Sequence, residues 1–194
     1  IQRNQELIAP ITDDQPASPR LYPTKDHQQK ASQFSEKPYI TIAPASVWFT
    51  KQFPVYKWRE LIDAIPSYHA IYLLGGPGDF EVCQQVALDR PQAKNLAGEL
   101  SLLETAALME KASMNYVNDS APLHIASAMN APVTAVFCST IPDFGFTPLS
   151  DESHIIETKE QLECRPCGLH GKKSCPKGHF KCADQVEVQE MIIP

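Results

Sequence analysis

The sequence predicts an α/β fold in which a parallel β-sheet carries helices on both faces, a doubly wound, Rossmann-like layer. Short, nearly all-apolar segments alternate with segments of helical periodicity, which is typical of a parallel sheet buried on both sides. Glycine, serine and charged residues follow the apolar segments directly. Ligands of doubly wound sheets bind beyond the carboxyl ends of the strands, so these residues are the first candidates for a site.

Each element is predicted from its local pattern. Strands are expected where apolar and β-branched residues run together, at 39–43, 70–74, 95–97, 115–117, 133–138 and, more weakly, 154–157. Helices are expected where apolar residues recur at helical spacing or follow a capping residue, at 54–65, 79–88, 101–109 and 120–128, with shorter turns at 2–8 and 186–191. Ser101 and Glu104, for example, form a capping box.

The chain divides into four parts by composition. Residues 1–37 are polar and interrupted by proline, so we interpret them as an interdomain connector. Residues 38–160 hold the repeated βα units and form the predicted binding domain. A cysteine-rich loop follows at 161–183, and 184–194 is expected to begin a C-terminal helix. Because the first residue is isoleucine rather than methionine, we expect a fragment of a longer protein.

Composition and charge exclude several classes of protein. The 194 residues contain 17 Lys and Arg against 23 Asp and Glu, and a formal net charge of -6 argues against a nucleic-acid binder. A hydrophobic content of 43% is too high for bulk disorder. The sequence has no apolar run of about 18 residues and no signal-peptide pattern, so we expect a cytoplasmic protein in a reducing compartment.

The junction at 118–124 is the first candidate site. Ser120 is predicted to begin a helix after the fourth main strand, and free N–H groups at a helix start attract anions. The alternative is that Asp119 and Ser120 only cap the helix and that His124 is a structural, partly buried histidine.

Two further strand ends carry polar residues. Lys51, in the loop 43–54 with Ser46 and Thr50, is suited to contact a phosphate, although a solvated lysine is the simpler interpretation. Glu81 follows a short glycine-rich loop and is suited either to bind ribose hydroxyls or to stabilise the first turn of its helix. Neither the dinucleotide fingerprint nor the P-loop motif occurs in the sequence.

Four cysteines cluster near the end of the chain: Cys164, Cys167, Cys175 and Cys182. Four thiolates can hold a structural zinc ion, with His170 or His179 as substitute ligands. Reduced free thiols and disulfide or redox chemistry are the alternatives. Lysines at 172, 173, 177 and 181, together with Arg165, form a local basic patch that is either a solvated surface or a contact to an anionic lipid-linked acceptor or membrane.

Three segments resemble the motifs of one enzyme family. PASVWFTKQFP at 44–54 resembles P-G-S-x-W-x-T-K-x-W-P of the lipopolysaccharide heptosyltransferases, NDSAPLHIA at 118–126 resembles their N-D-[ST]-G-P-x-H-x-A, and STIPDF at 139–144 resembles S-x-x-P-D-F. Their order and spacing agree, and the resemblance covers roughly residues 38–160. The sequence departs from the motifs at Ala45 and Ala121, which stand in place of glycine, and at Phe53, which stands in place of tryptophan.

The resemblance implies the C-terminal, donor-binding half of a GT-B glycosyltransferase of family 9. Such an enzyme transfers heptose or a related sugar from ADP-heptose or a similar nucleotide sugar to a lipopolysaccharide core acceptor, at the inner face of the inner membrane. It needs no cofactor, and a separate N-terminal domain binds the lipid-linked acceptor. An epimerase-like GT-B enzyme and a non-catalytic nucleotide-binding or zinc-stapled module are the alternatives.

The resemblance also implies roles for individual residues. Lys51 and Asp119 correspond to the catalytic positions, where Lys51 neutralises the donor phosphates and Asp119 faces the sugar. The remaining positions correspond to donor-binding residues, through side chains or backbone amides: Ser46, Thr50, Glu81, Ser120, Ala121, Leu123 and His124.

Overall fold

A six-stranded, all-parallel β-sheet forms the centre of the protein in a computed structural model that describes residues 2–13 and 15–192. The strands are β1 Tyr39–Ala43, β2 Ala70–Leu73, β3 Ala93–Asn95, β4 Asn115–Asn118, β5 Val133–Phe137 and β6 Ser153–Glu157. Their spatial order is β3-β2-β1-β4-β5-β6. The predicted Rossmann-like sheet is confirmed, and the strand order reverses between β1 and β4.

Helices cover both faces of this sheet. The covering helices are α2 Lys25–Ser32, α3 Val55–Ala64, α4 Phe80–Ala87, α5 Leu102–Glu110, α6 Ala121–Ala128 and α7 Lys181–Asp184, whereas Leu7 and Ile8 of α1 Gln2–Ile8 are exposed. One buried cluster joins the sheet to α3, α4 and the C-terminal residues, and a second joins it to α2, α5 and α6. Among the described residues, none of the helices has the length and apolar character of a membrane span.

A buried polar network joins the sheet to one of its helices. Asn115 accepts a hydrogen bond from Thr41 Oγ1 at 2.6 Å, and its Nδ2 donates to the carbonyl of Met109 at 3.0 Å. The same Nδ2 donates to the carbonyl of Pro132 at 2.8 Å. Because every polar atom of this buried amide has a partner, Asn115 ties β1, α5 and the start of β5 together at little desolvation cost.

The helix α2 is the main element that the sequence analysis missed. It lies inside the segment interpreted as a connector, yet Ala31 and Phe34 are buried against α5 and the sheet. The Phe34 ring packs edge-on against Tyr72, with centroids 5.3 Å apart. The role of residues 1–37 as an interdomain connector stays a prediction, and the second half of this segment packs on the sheet.

Two boundaries differ from the prediction for identifiable reasons. The third strand lies at Ala93–Asn95 rather than 95–97, because Asn95 Oδ1 accepts a hydrogen bond from the backbone N–H of Ala97 at 3.0 Å and turns the chain. The expected helix at 186–191 is only a 3₁₀ turn at Val188–Met191. Val188 and Met191 are nevertheless fully buried, so apolar contact rather than helix formation fixes this end.

Candidate functional site

A cleft of about 410 Å³ opens where the strand order reverses, at the carboxyl ends of β1, β2 and β4. Ligands of open α/β sheets bind at this position. Three of the predicted donor-binding residues, Ser46, Ser120 and Ala121, line it. The other lining residues are Ala43, Ala45, Val47, Leu74, Gly75, Gly76, Asp79, Leu100, Leu102, Thr105, Pro122 and Ile125.

The two predicted catalytic residues form an ion pair. Lys51 Nζ lies 2.8 Å from Asp119 Oδ2, and the two side chains are only 15% and 8% exposed. Asp119 Oδ2 also accepts a hydrogen bond from Thr140 Oγ1 at 2.6 Å. The pair therefore brings together all three segments that carry the motifs, and Lys51 has ammonium protons left for a further anion.

Asn118 holds the loop that carries Lys51, a role that the sequence analysis did not assign. Its Oδ1 accepts from the backbone N–H of Phe53 at 2.9 Å, and its Nδ2 donates to the carbonyls of Pro44 at 2.7 Å and Ala45 at 3.3 Å. The Asn118 side chain thus hydrogen-bonds both ends of the loop after β1. The available signal was a polar side chain at the end of an otherwise apolar strand.

Two predicted donor-binding groups are used inside the protein. The Thr50 side chain is buried, and its Oγ1 accepts from Ser139 Oγ at 3.0 Å and from the backbone N–H of Lys172 at 2.8 Å. The Leu123 side chain lies in the core, and its N–H donates to the carbonyl of Ser120 at 3.2 Å. Both groups thus already have partners within the protein, and their direct contact with a donor stays a prediction.

Ser120 and Glu81 differ in their relation to the cleft. Ser120 stands at the N-cap position of α6 as predicted, but its side chain makes no capping hydrogen bond, and it lines the cleft instead. Glu81 is exposed in the first turn of α4, where it accepts from Gln85 Nε2 at 3.4 Å, and it lies outside the lining of the cleft.

His124 lies close enough to the ion pair to be influenced by both charges. Partial burial lowers the pKa of His124; the Asp119 carboxylate opposes this effect, and the Lys51 ammonium adds to it. Its ring packs edge-on against Phe146, with centroids 6.5 Å apart. The lowered pKa favours the neutral imidazole, whose ring nitrogens can hydrogen-bond a ligand without adding charge.

The four predicted metal ligands surround a second cavity, of about 350 Å³, together with His179: Cys164, Cys167, Cys175 and Cys182. They are not assembled into a coordination set. Within residues 2–13 and 15–192, no three His, Cys, Asp or Glu side chains are arranged to hold a metal ion. The structure therefore differs from the predicted coordination by Cys164, Cys167, Cys175 and Cys182, and the structural zinc stays a prediction.

The contacts of the individual thiols give the physical reason for this difference. Cys164 Sγ lies 3.9 Å from His179 Nε2, whereas the Cys167 thiol donates to the carbonyl of Cys164 at 3.3 Å. Cys182 is buried in α7, and burial raises the pKa of its thiol to about 12. Burial also acts to raise the pKa of Cys175, but four backbone N–H groups, at 177–180, together lower it. Each thiol thus has its own surroundings rather than a shared centre.

The sequence model of glycosyltransferase family 9 (heptosyltransferase) matches residues 1–177. The chain belongs to glycosyltransferase family 9. The lipooligosaccharide heptosyltransferase 2 of Haemophilus influenzae is 29% identical over 143 residues, which are 70% of this chain and 41% of that protein. The lipopolysaccharide heptosyltransferase 2 of Escherichia coli is 32% identical over 129 residues, 63% of this chain and 37% of that protein.

Solved structures of the same family share the fold. The structure of E. coli ADP-heptose LPS heptosyltransferase II matches with a TM-score of 0.68 at 25% identity, over 93% of this chain and 57% of that chain. A family 9 glycosyltransferase of Veillonella parvula matches with a TM-score of 0.71 at 19% identity, over the same shares. The resemblance to family 9 and its GT-B type of fold is confirmed. The chain spans about two fifths of the length of the curated relatives it matches.

The charges around His124 predict opposite shifts of its pKa in two variants. We expect the wild-type pKa to lie below the usual 6.5. Lys51→Ala should raise it, because a repelling ammonium is removed, and Asp119→Asn should lower it further, because an attracting carboxylate is removed. NMR titration of the imidazole protons, with His124→Gln to assign the signal, measures both. Shifts of the same sign in the two variants would contradict this placement of His124.

Proposed function

We propose that this chain is the donor-binding part of a heptosyltransferase, which transfers heptose or a related sugar from ADP-heptose to a lipopolysaccharide core acceptor. The observation that carries the proposal is the Lys51–Asp119 pair beside a cleft at the start of α6, in a chain of family 9. Donor, acceptor and transfer belong to the proposal because the matched relatives are much longer than this chain.

The proposed chemistry follows from where positive charge is available. When the bond between the sugar and the diphosphate breaks, negative charge grows on the departing nucleotide. The proposal assigns the stabilisation of that charge to Lys51 and to the positive end of the α6 helix dipole. The hydroxyls of Ser46 and Ser120 line the same cleft and can donate to phosphate oxygens. The proposal invokes no cofactor for this step.

Two of the predicted roles are refined by these contacts. Asp119 fixes the position of Lys51 through the ion pair and is proposed to face the sugar side of the donor. Glu81 keeps its proposed contact with the ribose, since its carboxylate is exposed. The proposal gives neither residue the role of the base that removes the proton from the acceptor hydroxyl.

The acceptor side of the proposal involves the basic patch. We propose that the exposed lysines 172, 173, 177 and 181 contact an anionic lipid-linked acceptor or membrane at the cytoplasmic face of the inner membrane. Arg165 does not contribute, because its guanidinium pairs with Glu157 and with backbone carbonyls. Replacing the four lysines by glutamine should abolish co-sedimentation with phosphatidylglycerol vesicles. Unchanged co-sedimentation would count against this contact.

The nucleotide specificity tests the proposed donor. ADP should raise the melting temperature more than UDP or GDP at equal concentration, and Lys51→Ala should weaken ADP binding by about 1–3 kcal/mol, the scale of charge-assisted hydrogen bonds. Thermal shift and calorimetry measure the two effects. Lys111→Ala is the matched control, because Lys111 is an exposed lysine that follows α5 and precedes the amino end of β4.

Three results would contradict the proposal in different ways. Equal stabilisation by all three nucleotides would remove the preference for adenine. Undiminished ADP affinity in Lys51→Ala would remove the phosphate role of Lys51. Product analysis with ADP-heptose and a lipid-linked acceptor separates sugar transfer from epimerisation of the nucleotide sugar and from binding without turnover.

We also propose that Cys164, Cys167, Cys175 and Cys182 hold a structural zinc ion. The proposal is supported by four thiols and an imidazole around one cavity, and by the backbone N–H groups that favour the thiolate of Cys175. Closing the ligand set requires the thiols to move together, and Cys167 to release the carbonyl of Cys164.

Elemental analysis tests the zinc proposal. It should give about one zinc per chain. The metal should be lost in Cys175→Ser and kept in Cys83→Ala, because Cys83 lies in the core away from the cluster. Metal-free protein with four alkylatable thiols in the cluster would contradict it.

A further inference from the structure

The cysteine-rich loop is anchored at its start to the carboxyl end of β5. The Arg165 guanidinium donates hydrogen bonds to the carbonyls of Cys138 at 2.8 Å and Thr140 at 2.7 Å. The backbone N–H of Cys167 donates to the carbonyl of Ser139 at 2.9 Å. This part of the loop therefore cannot shift without breaking contacts to the strand end that also supplies Thr140 to the ion pair.

The loop is anchored again at its end. Cys182 and Ala183 of α7 are buried, and Ala183 belongs to the same core cluster as the apolar residues of α3. Beside them, Tyr56 Oη donates to Asp184 Oδ1 at 2.6 Å. The part of the cysteine-rich loop between Cys167 and Cys182 is therefore fixed at both ends.

The middle of this loop hydrogen-bonds Thr50, the residue that precedes Lys51. The backbone N–H of Thr50 donates to the carbonyl of Lys172 at 3.1 Å, and the backbone N–H of Lys172 donates to Thr50 Oγ1 at 2.8 Å. Ser139 Oγ donates to the same Thr50 oxygen at 3.0 Å. Thr50 is thus bound from two sides, and its backbone leads directly into Lys51.

Gly171 brings the loop against the Lys51 side chain itself. Its φ of +78° lies in the left-handed region, which favours glycine. A Cβ atom built at this position would lie 3.0 Å from Lys51 Cγ, 3.0 Å from Thr50 Oγ1 and 3.3 Å from Trp48 Cβ. No side chain fits between the loop and the lysine, so any substitution there displaces one of them.

We propose that the cysteine-rich loop positions Lys51 for the donor diphosphate, with Gly171 and Thr50 as positioning residues. The loop supplies no atom to the nucleotide in this proposal: it sets the location of the Lys51 ammonium by a backbone clamp on one side and a close contact on the other. The inference rests on the proposed binding of a nucleotide diphosphate at Lys51.

Calorimetry of four proteins with two ligands tests this proposal. ADP and adenosine are titrated into wild type, Gly171→Ala, Lys51→Ala and the double variant. Gly171→Ala should weaken ADP binding about tenfold and leave adenosine binding unchanged, because adenosine has no phosphate for Lys51 to contact. In the Lys51→Ala background, Gly171→Ala should cause no further loss, since a residue that acts through Lys51 has no effect without it.

Gly168→Ala is the matched control for backbone strain. Gly168 lies in the same loop with a φ of +88°, but a Cβ atom there meets nothing within 4 Å. It should leave ADP affinity unchanged. An equal loss in Gly168→Ala and Gly171→Ala, or a further loss on the Lys51→Ala background, would overturn the positioning role. If wild type fails to bind ADP, the proposed function itself is wrong.

Variants of Thr50 probe the clamp independently of the glycine. Thr50→Ser keeps the hydroxyl that accepts from Lys172 and should retain ADP affinity, whereas Thr50→Val removes it and should weaken ADP but not adenosine. Equal ADP affinities in the two variants would overturn the clamp. Circular dichroism confirms that each variant is folded before it is titrated.

Discussion

The candidate site depends on the hydrogen bonds that the Asn118 carboxamide makes. It lies where β4 ends beside β1, and its hydrogen bonds hold both ends of the loop between Pro44 and Phe53. A loop of this length would otherwise sample many conformations, at an entropic cost that each ligand would have to meet on binding. Because the ends are fixed, Ser46 is held in the lining of the cleft and Lys51 is held against Asp119 before any ligand arrives. A carboxylate at this position could accept from Phe53 but could not donate to the two carbonyls.

The two members of the Lys51–Asp119 pair act on an anionic ligand in opposite ways, since Lys51 attracts it and Asp119 repels it. Removing two charges from water is costly, and Thr140 offsets part of this cost by donating to the carboxylate. Asp119 holds the ammonium in one place, which favours a phosphate at a defined position. The same carboxylate repels an anionic ligand, which limits how tightly such a ligand is held. In a transferase, such a balance stabilises the negative charge that develops in the transition state more than it stabilises the bound ground state.

Local patterns predicted most elements of the fold, and contacts between distant residues account for what they missed. Runs of apolar residues correctly predicted β1, β2, β4 and β5. The capping box of Ser101 and Glu104 also forms as expected. The helix α2 was missed because Ala31 is its one apolar residue, and the burial of Ala31 and of Phe34, just after the helix, depends on contact with α5 and the sheet. Within the site, strand ends and motifs singled out Lys51 and Asp119, but the ion pair between them was not predicted. Burial of Thr50 was not predicted either, because its partner Lys172 lies 122 residues away.

The three motif segments are parts of one network of polar contacts. Lys51 and Thr50 come from the first segment, Asp119 from the second, and Ser139 and Thr140 from the third. Asp119 joins Lys51 to Thr140, while Ser139 joins the neighbouring Thr50 to the same strand end. A change in any one segment therefore reaches the lysine through one or two hydrogen bonds. The cysteine-rich loop meets this network at Thr50 and at the backbone carbonyls that follow β5, so it acts on the position of the charge without entering the cleft.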